Sequence, residues 1–409
     1  MEMPPSRLPV HWVSHSASPY NAYLFRALAA EPAVELTVHY MHGNPADRPW
    51  KDRMTDGYSS HQCWRLAGVC WDLVRLAMTD RQSLFVTGNW SEPTILLSLT
   101  LLAMRRRPFV IWAATPDIRK RRNPVKAHLR RIWLRLMFAR AARVMGIGAP
   151  ALAELAQMGC PMNKMVNLPL FVPLHPSLHC GRPAVRLGEL SPLKLISVGR
   201  IIHSIKGHDI AVAALAKARD LTGRENFQYR IAGTGADLDA LRLQVRQLDL
   251  EDRVTFLGWL EPEQVQDLYR DSHVLLHPSR IDATGAAVLE AMAAGLVVLG
   301  SESAGAVRDR IRHGENGFVH RTGDVDELAS QIAHLLQHPG KIHPLGCQAR
   351  RTAEEWPVGR GVHIIKSILA EIYVAGGGVP SVTAGPDRSF QDGKPPDADR
   401  SGLREHGAQ

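Results

Sequence analysis

The run His277-Pro278-Ser279-Arg280-Ile281-Asp282-Ala283-Thr284-Gly285-Ala286-Ala287-Val288-Leu289-Glu290-Ala291-Met292-Ala293-Ala294-Gly295 decides the reading of this chain. The apolar residues before it, 274–276, have the pattern of a buried strand. A polar loop follows, then a small-residue helix ending at Gly295, a natural C-terminal stop. Asp282 falls in the loop, Glu290 falls on the helix, and Gly285 sits where the helix begins. The spacing sets unpaired backbone N–H groups and the positive end of a helix dipole between two carboxylates. Such a site suits a ligand with an anionic centre flanked by hydroxyls. The plain alternative is a strand-loop-helix with a capping acid and a solvated Glu, so the surroundings decide.

The chain has 409 residues, enough for two domains with full cores. Its 45% hydrophobic and 22% charged residues are those of a soluble globular protein. Cys63, Cys70, Cys160, Cys180 and Cys347 form no metal-type CxxC pair and are expected to be reduced thiols of a cytoplasmic protein. Residues 1–9 show no apolar leader core, and the longest apolar run, 93–104, is too short to span a bilayer. The net charge of +9 is concentrated: from Arg105 to Arg143 there are thirteen Lys or Arg and one acid, Asp117.

In the first half, strand patterns at 8–13, 34–40, 83–87, 108–113 and 143–147 alternate with helical patterns at 20–30, 63–79, 92–104, 124–140 and 150–158. That alternation argues for a parallel sheet covered on both faces. The loop after the first strand, Ser14-His15-Ser16-Ala17-Ser18-Pro19, is polar. His15 and Ser16 would line a lip of a cleft, while Ser18 and Pro19 suit a helix N-cap and first position. Residues 42–60 are irregular, and the five prolines of 168–192 mark a linker.

The basic segment holds Arg119-Lys120-Arg121-Arg122, the cap Asn123, and a helix whose Leu129, Ile132, Trp133, Leu136 and Met137 share one stripe. It reads either as a core helix with a solvated basic face or as a contact to an anionic membrane surface. Nucleic acid is not expected, because no binding motif accompanies the charge and aromatics are 6% of residues.

The second half restarts the strand–helix pattern at 193–198 and 227–232. Gly199-Arg200 and Lys206-Gly207 follow the first of these strands, and Gly233-Thr234-Gly235 follows the second. Cations at the carboxyl end of a strand suit a phosphate group. Gly233-x-Gly235 lacks the third glycine of a dinucleotide fingerprint. Asp324-Val325-Asp326 reads as a helix cap, with Asp324 and Glu327 as a capping box, rather than as a metal-binding pair. A last helix is expected within 362–374, and a Gly-, Pro- and Asp-rich tail follows it.

The acid, seven residues, then Glu290-Ala291-Met292-Ala293-Ala294-Gly295 resembles the donor-binding signature of retaining glycosyltransferases of family 4 (glycosyl transferases group 1). Here the first acid is Asp282, where that family usually has Glu. Gly199-Arg200 and Lys206-Gly207 match its Gly-Arg and Lys-Gly pair, with one residue more between Arg and Lys. The likeness runs from about 193 to 336. The first-strand loop lacks the glycine pair common in the family.

The resemblance implies an α/β GT-B fold, with two Rossmann-like domains of parallel sheet facing across a cleft. The domains would be an acceptor domain at 1–175, a linker at 176–192, a nucleotide-sugar domain at 193–358, a helix crossing back at 359–374 and a disordered tail at 375–409. Arg200 and Lys206 would meet the donor diphosphate with the Thr284, Gly285 and Ala286 backbone and Gly233, Glu290 the ribose, and Asp282 the sugar hydroxyls. Those donor-binding residues would also be the catalytic ones, since in the family the leaving phosphate takes the acceptor proton. His15 and Ser16 would face the acceptor. No metal or other cofactor is expected, and the donor would be UDP- or GDP-linked. The acceptor would be a glycan or a lipid-linked saccharide, in polysaccharide or glycolipid synthesis at the inner face of the membrane. Two rival readings are a GT-B nucleotide-sugar epimerase and a non-catalytic protein that binds anionic lipid.

Overall fold

A computed structural model describes residues 7–43, 55–88, 90–114, 123–174 and 192–375. Seven strands form in the first part, the inner ones rich in β-branched and aromatic residues: β1 (Leu8–Ser14), β2 (Val34–Tyr40), β3 (Ser59–Gln62), β4 (Leu84–Gly88), β5 (Phe109–Ala113), β6 (Arg143–Gly146) and β7 (Met165–Asn167). Helices α1 (Pro19–Ala29), α2 (Trp71–Thr79), α3 (Pro93–Met104), α4 (Pro124–Arg140) and α5 (Ala149–Gln157) connect them. Ser18 Oγ accepts from Asn21 N at the start of α1, with Pro19 first in the helix, as the sequence predicts.

The second part has six strands: β8 (Leu193–Val198), β9 (Phe227–Ala232), β10 (Val254–Gly258), β11 (Val274–His277), β12 (Val297–Ser301) and β13 (Gly317–His320). Its helices are α6 (His203–Lys206), α7 (His208–Thr222), α8 (Leu238–Gln247), α9 (Pro262–Arg270), α10 (Ala286–Ala293), α11 (Gly305–Arg310), α12 (Val325–Gln337), α13 (Ile342–Glu354) and α14 (Val358–Ala375). The last of these does not stay with its neighbours. Val362, Ile365, Ile368 and Leu369 of α14 are buried among Leu24, Leu28 and Phe171 of the first part.

Both sheets are parallel, ordered β3-β2-β1-β4-β5-β6-β7 and β10-β9-β8-β11-β12-β13. In each, the winding direction reverses beside the first strand, between β1 and β4 and between β8 and β11. Open parallel sheets bind ligands in the crevice outside the carboxyl ends of strands at such a point. The loops after β1, β4, β8 and β11 are therefore the ones the fold brings to a ligand; the connection after β8 carries Arg200 and Lys206, the loop after β11 carries Asp282, and the helix that follows it carries Glu290.

The structure corrects several expectations. The helix expected over 63–79 is confined to α2. Before it, Ala67 and Gly68 both take positive φ (52° and 78°), turning the chain between the bridged residues Leu66 and Val69. Residues 59–62, the first two of them expected to be irregular, pair with β2 at the sheet edge. Strand β7 and helix α13 were not foreseen. On α4, Met137 of the expected stripe is buried, but Leu129, Ile132 and Leu136 are exposed; the face that packs inward carries Leu134, Met137 and Phe138. Arg119, Lys120, Arg121, Arg122 and Cys180, the linker at 176–192 apart from Pro192, and the tail after Ala375 lie outside the described residues.

Candidate functional site

One cavity of about 470 Å³ lies at the carboxyl end of the second sheet. Gly199, Arg200 and Lys206 from beyond β8, Gly233 and Thr234 from beyond β9, and Trp259, Leu260 and Pro262 from beyond β10 line it. The loop after β11 and the start of α10 add Asp282, Thr284, Ala286, Ala287 and Glu290. Pro19 and Tyr20, at the start of α1, close it from the first domain. Arg200, Lys206, Gly233, Asp282, Thr284, Ala286 and Glu290, proposed from sequence, are thus gathered in one place. Gly285 is buried just beneath.

Two glycines make the close approach possible. Gly207 has φ 66°, and a Cβ there would lie 2.2 Å from the Pro278 carbonyl oxygen; at Gly233, φ 144°, a Cβ would lie 2.0 Å from that of Gly199. Neither position admits a side chain. The phosphate-loop candidate is further tied to the 278–285 loop by backbone bonds from Arg280 N (2.8 Å) and Ile281 N (3.1 Å) to the Ile205 oxygen. Arg280 also grips Asp209 through both terminal nitrogens, at 2.7 and 2.6 Å.

Asp282 is the knot of this loop. Its Oδ2 accepts from Lys206 Nζ at 2.6 Å and lies 2.9 Å from His277 Nε2. Its Oδ1 accepts from Thr284 N at 3.3 Å and Gly285 N at 2.9 Å. Burial alone would raise this carboxyl, but the His277 hydrogen bond and the Lys206 charge outweigh it and hold it far below the usual carboxylate range. The Thr284 and Gly285 N–H groups, expected at a diphosphate, donate here to Asp282, and the two Asp282 oxygens, expected at the sugar, hold four hydrogen-bond contacts within the protein. The first-turn residues Ala286 and Ala287 line the cavity, and their N–H groups are among those a helix start leaves without an intrahelical acceptor.

Glu290 is the opposite case. It lines the cavity, and its Oε2 accepts from Tyr269 Oη at 3.0 Å. Burial pushes its carboxyl up to about 7, and the Tyr269 bond offsets only part of that. His277 and Tyr269, on which the two acids depend, escaped the sequence reading. Each ends or lies within an element whose apolar pattern signals burial but not a hydrogen-bond partner.

On the first domain, His15 is half-exposed beyond β1, its ring 4.2 Å from that of His42. Glu92 Oε1 lies 3.0 Å from His42 Nε2 and 3.9 Å from His15 Nδ1. Ser16 takes part through its carbonyl oxygen, which accepts from Ser14 Oγ at 3.4 Å. Among the described residues His15, His42 and Glu92 form a group close enough to share an ion. Arg65 already brings a positive charge there, 3.3 Å from His42 Nε2, so the group is arranged for hydrogen bonding. Asp324, as expected, caps α12 by accepting from Glu327 N at 2.9 Å; Glu327 reaches back to Arg321 N rather than to Asp324 N, so the box is only half formed. Asp326 pairs with Lys217 at 2.5 Å.

Two facing parallel-sheet Rossmann-like domains with a cavity at the carboxyl ends of the strands define the GT-B architecture. Residues 187–352 match the family described as glycosyl transferases group 1. The chain is 30% identical over 237 residues to the amylovoran biosynthesis glycosyltransferase AmsK of Erwinia amylovora, covering 54% of this chain and 53% of that protein. It is 28% identical over 231 residues to the putative colanic acid biosynthesis glycosyltransferase WcaL of Escherichia coli K12, covering 53% of each. The chain thus spans about half the length of the curated relatives it matches. In fold it is similar to Anabaena HepE in complex with UDP, with a TM-score of 0.68 at 17% identity over 89% of this chain and 100% of that one. It is also similar to the lipopolysaccharide outer core galactosyltransferase WaaB, with a TM-score of 0.69 at 14% identity over 89% and 99%.

Proposed function

We propose that this protein is a retaining glycosyltransferase of the family 4 type. It would move a hexose from a UDP- or GDP-linked donor to a glycan or lipid-linked acceptor in polysaccharide synthesis, on the cytoplasmic side of the membrane. The observation that carries the reading is the convergence of Arg200, Lys206, the start of α10 and Glu290 on one cavity that Tyr20 of the first domain closes. The relatives named for amylovoran and colanic acid synthesis support the polysaccharide assignment, and UDP in HepE supports a nucleotide-linked donor.

In this reading Arg200, Lys206 and the Ala286 and Ala287 N–H groups take the diphosphate. Gly233 lets the backbone come close, and Glu290 accepts from the ribose hydroxyls. Asp282 holds Lys206 and the loop in place. The leaving phosphate receives the acceptor proton, and His15 with the Glu92–His42 pair orients the acceptor. The positive charges count most when the bond breaks, because the departing nucleoside diphosphate gains charge.

Arg200→Ala and Lys206→Ala are each expected to lower transfer by about ten-fold or more. The assay is radiolabelled sugar transfer with each donor in turn, alongside a thermal-shift panel of UDP and GDP. Full activity in either variant removes the phosphate assignment, and epimerised donor without transfer favours an epimerase. Activity is also expected to persist in chelator. Abolition by chelator with rescue by magnesium or manganese would bring a metal back into the mechanism.

A further inference from the structure

Helix α4 has two apolar faces. Leu134, Met137 and Phe138 pack inward, while Val125, Leu129, Ile132 and Leu136 on the far side are 66%, 62%, 54% and 51% exposed. At about 100° per residue these four fall within an arc of about 60°, roughly opposite the buried face. Lys126 flanks the stripe on one side and Arg135 on the other, with Arg130 and Arg131 further round the helix on the same two sides. Arg140 follows in the last turn, and the helix contains no acid. Next to the stripe, between α3 and α4, opens an apolar pocket of about 580 Å³ lined by Trp90, Ser91, Leu96, Leu129, Arg130 and Trp133.

A contiguous exposed apolar surface of this kind marks an interaction site. We propose that it is a docking face for an anionic lipid bilayer. In that arrangement α4 would lie in the plane of the interface with its leucines and isoleucine among the upper acyl chains. The flanking cations would meet lipid phosphates, and the pocket beside Trp133 would receive a hydrocarbon segment. Charge decides between this occupant and a second copy of the chain: two such faces would press like-charged belts together, whereas an anionic bilayer neutralises both. No helix among the described residues is long and apolar enough to cross a membrane, so the contact is with a surface.

The test is sedimentation of the full chain with vesicles of phosphatidylcholine alone and of phosphatidylcholine with phosphatidylglycerol, at low and high salt. Binding is expected only to the anionic vesicles, and high salt should weaken it. The triple variant Leu129→Ser, Ile132→Ser, Leu136→Ser should lose about a hundred-fold in partitioning with an unchanged melting temperature, since all three side chains are exposed. Arg131→Glu with Arg135→Glu should abolish the preference for anionic vesicles. The proposal fails if the wild type stays in solution with anionic vesicles at low salt, or if the triple variant binds as the wild type does. It fails too if light scattering shows a dimer that the triple variant turns into a monomer, which would give the face to a second copy. The measurement needs neither donor nor turnover, so its failure leaves the transferase reading intact.

Discussion

Asp282→Asn is expected to remove about 3 kcal/mol of stability and to lower sugar transfer by about a hundred-fold or more. Its side chain is 10% exposed and Lys206, its partner, is 20% exposed. The ion pair is therefore largely out of water, where removing one charge strands the other. An amide at this position can still accept from Thr284 N and Gly285 N through its oxygen. Its NH2 group would then face Lys206 Nζ and His277 Nε2, where the carboxylate now accepts. The loop that delivers Ala286 and Ala287 to the cavity should loosen, so affinity for the nucleoside diphosphate alone should fall together with transfer. Urea unfolding and calorimetric titration with UDP and GDP read both effects. If the variant unfolds and binds nucleotide as the wild type does while transfer drops, Asp282 contacts the sugar after all and the positioning role is wrong.

The contrast between Asp282 and Glu290 shows what sequence carries and what it does not. The alternation of apolar runs with helical stripes is a local property, and it placed both sheets and the loops at their carboxyl ends. The glycines at 207 and 233 were visible as breaks, but their reason, a backbone oxygen within reach of any Cβ, belongs to the tertiary fold. Hydrogen-bond partners are wholly non-local. Nothing about residues 206 and 282, or 269 and 290, announces that each pair meets, nor that Asp282 accepts from the N–H groups of Thr284 and Gly285. Helix α4 fails in another way. Its sequence holds two apolar stripes, and periodicity does not say which one meets the core. The turn at Ala67 was missed because alanine rarely adopts positive φ and so gives no signal.

Glu290→Gln is expected to move stability and ligand affinity in opposite directions. Burial raises the Glu290 carboxyl from 4.5 to about 7 in the folded protein, with the Tyr269 hydrogen bond pulling the other way. A raised folded value means that the native state holds more protons than the unfolded chain between those limits. The stability is full below pH 4.5 and is lost as pH rises through 7. By linkage the loss amounts to about 2–3 kcal/mol, given that this side chain is partly open to the cavity. Glutamine carries no charge to desolvate, so the free variant should melt higher than the wild type at about pH 8 and show a flatter melting profile from about pH 5 to 8. Binding should go the other way, because a charged acceptor is worth about 1.5–3 kcal/mol to a donating hydroxyl. At about pH 8 the variant should bind the nucleoside diphosphate about ten- to hundred-fold more weakly, and the gap should narrow below pH 7 as the wild-type carboxyl takes up its proton. Melting curves and calorimetry across that range separate the two effects. A variant that melts lower at pH 8 would mean that partners within the protein stabilise the carboxylate by more than its burial costs. Unchanged affinity at every pH would take the ribose away from Glu290.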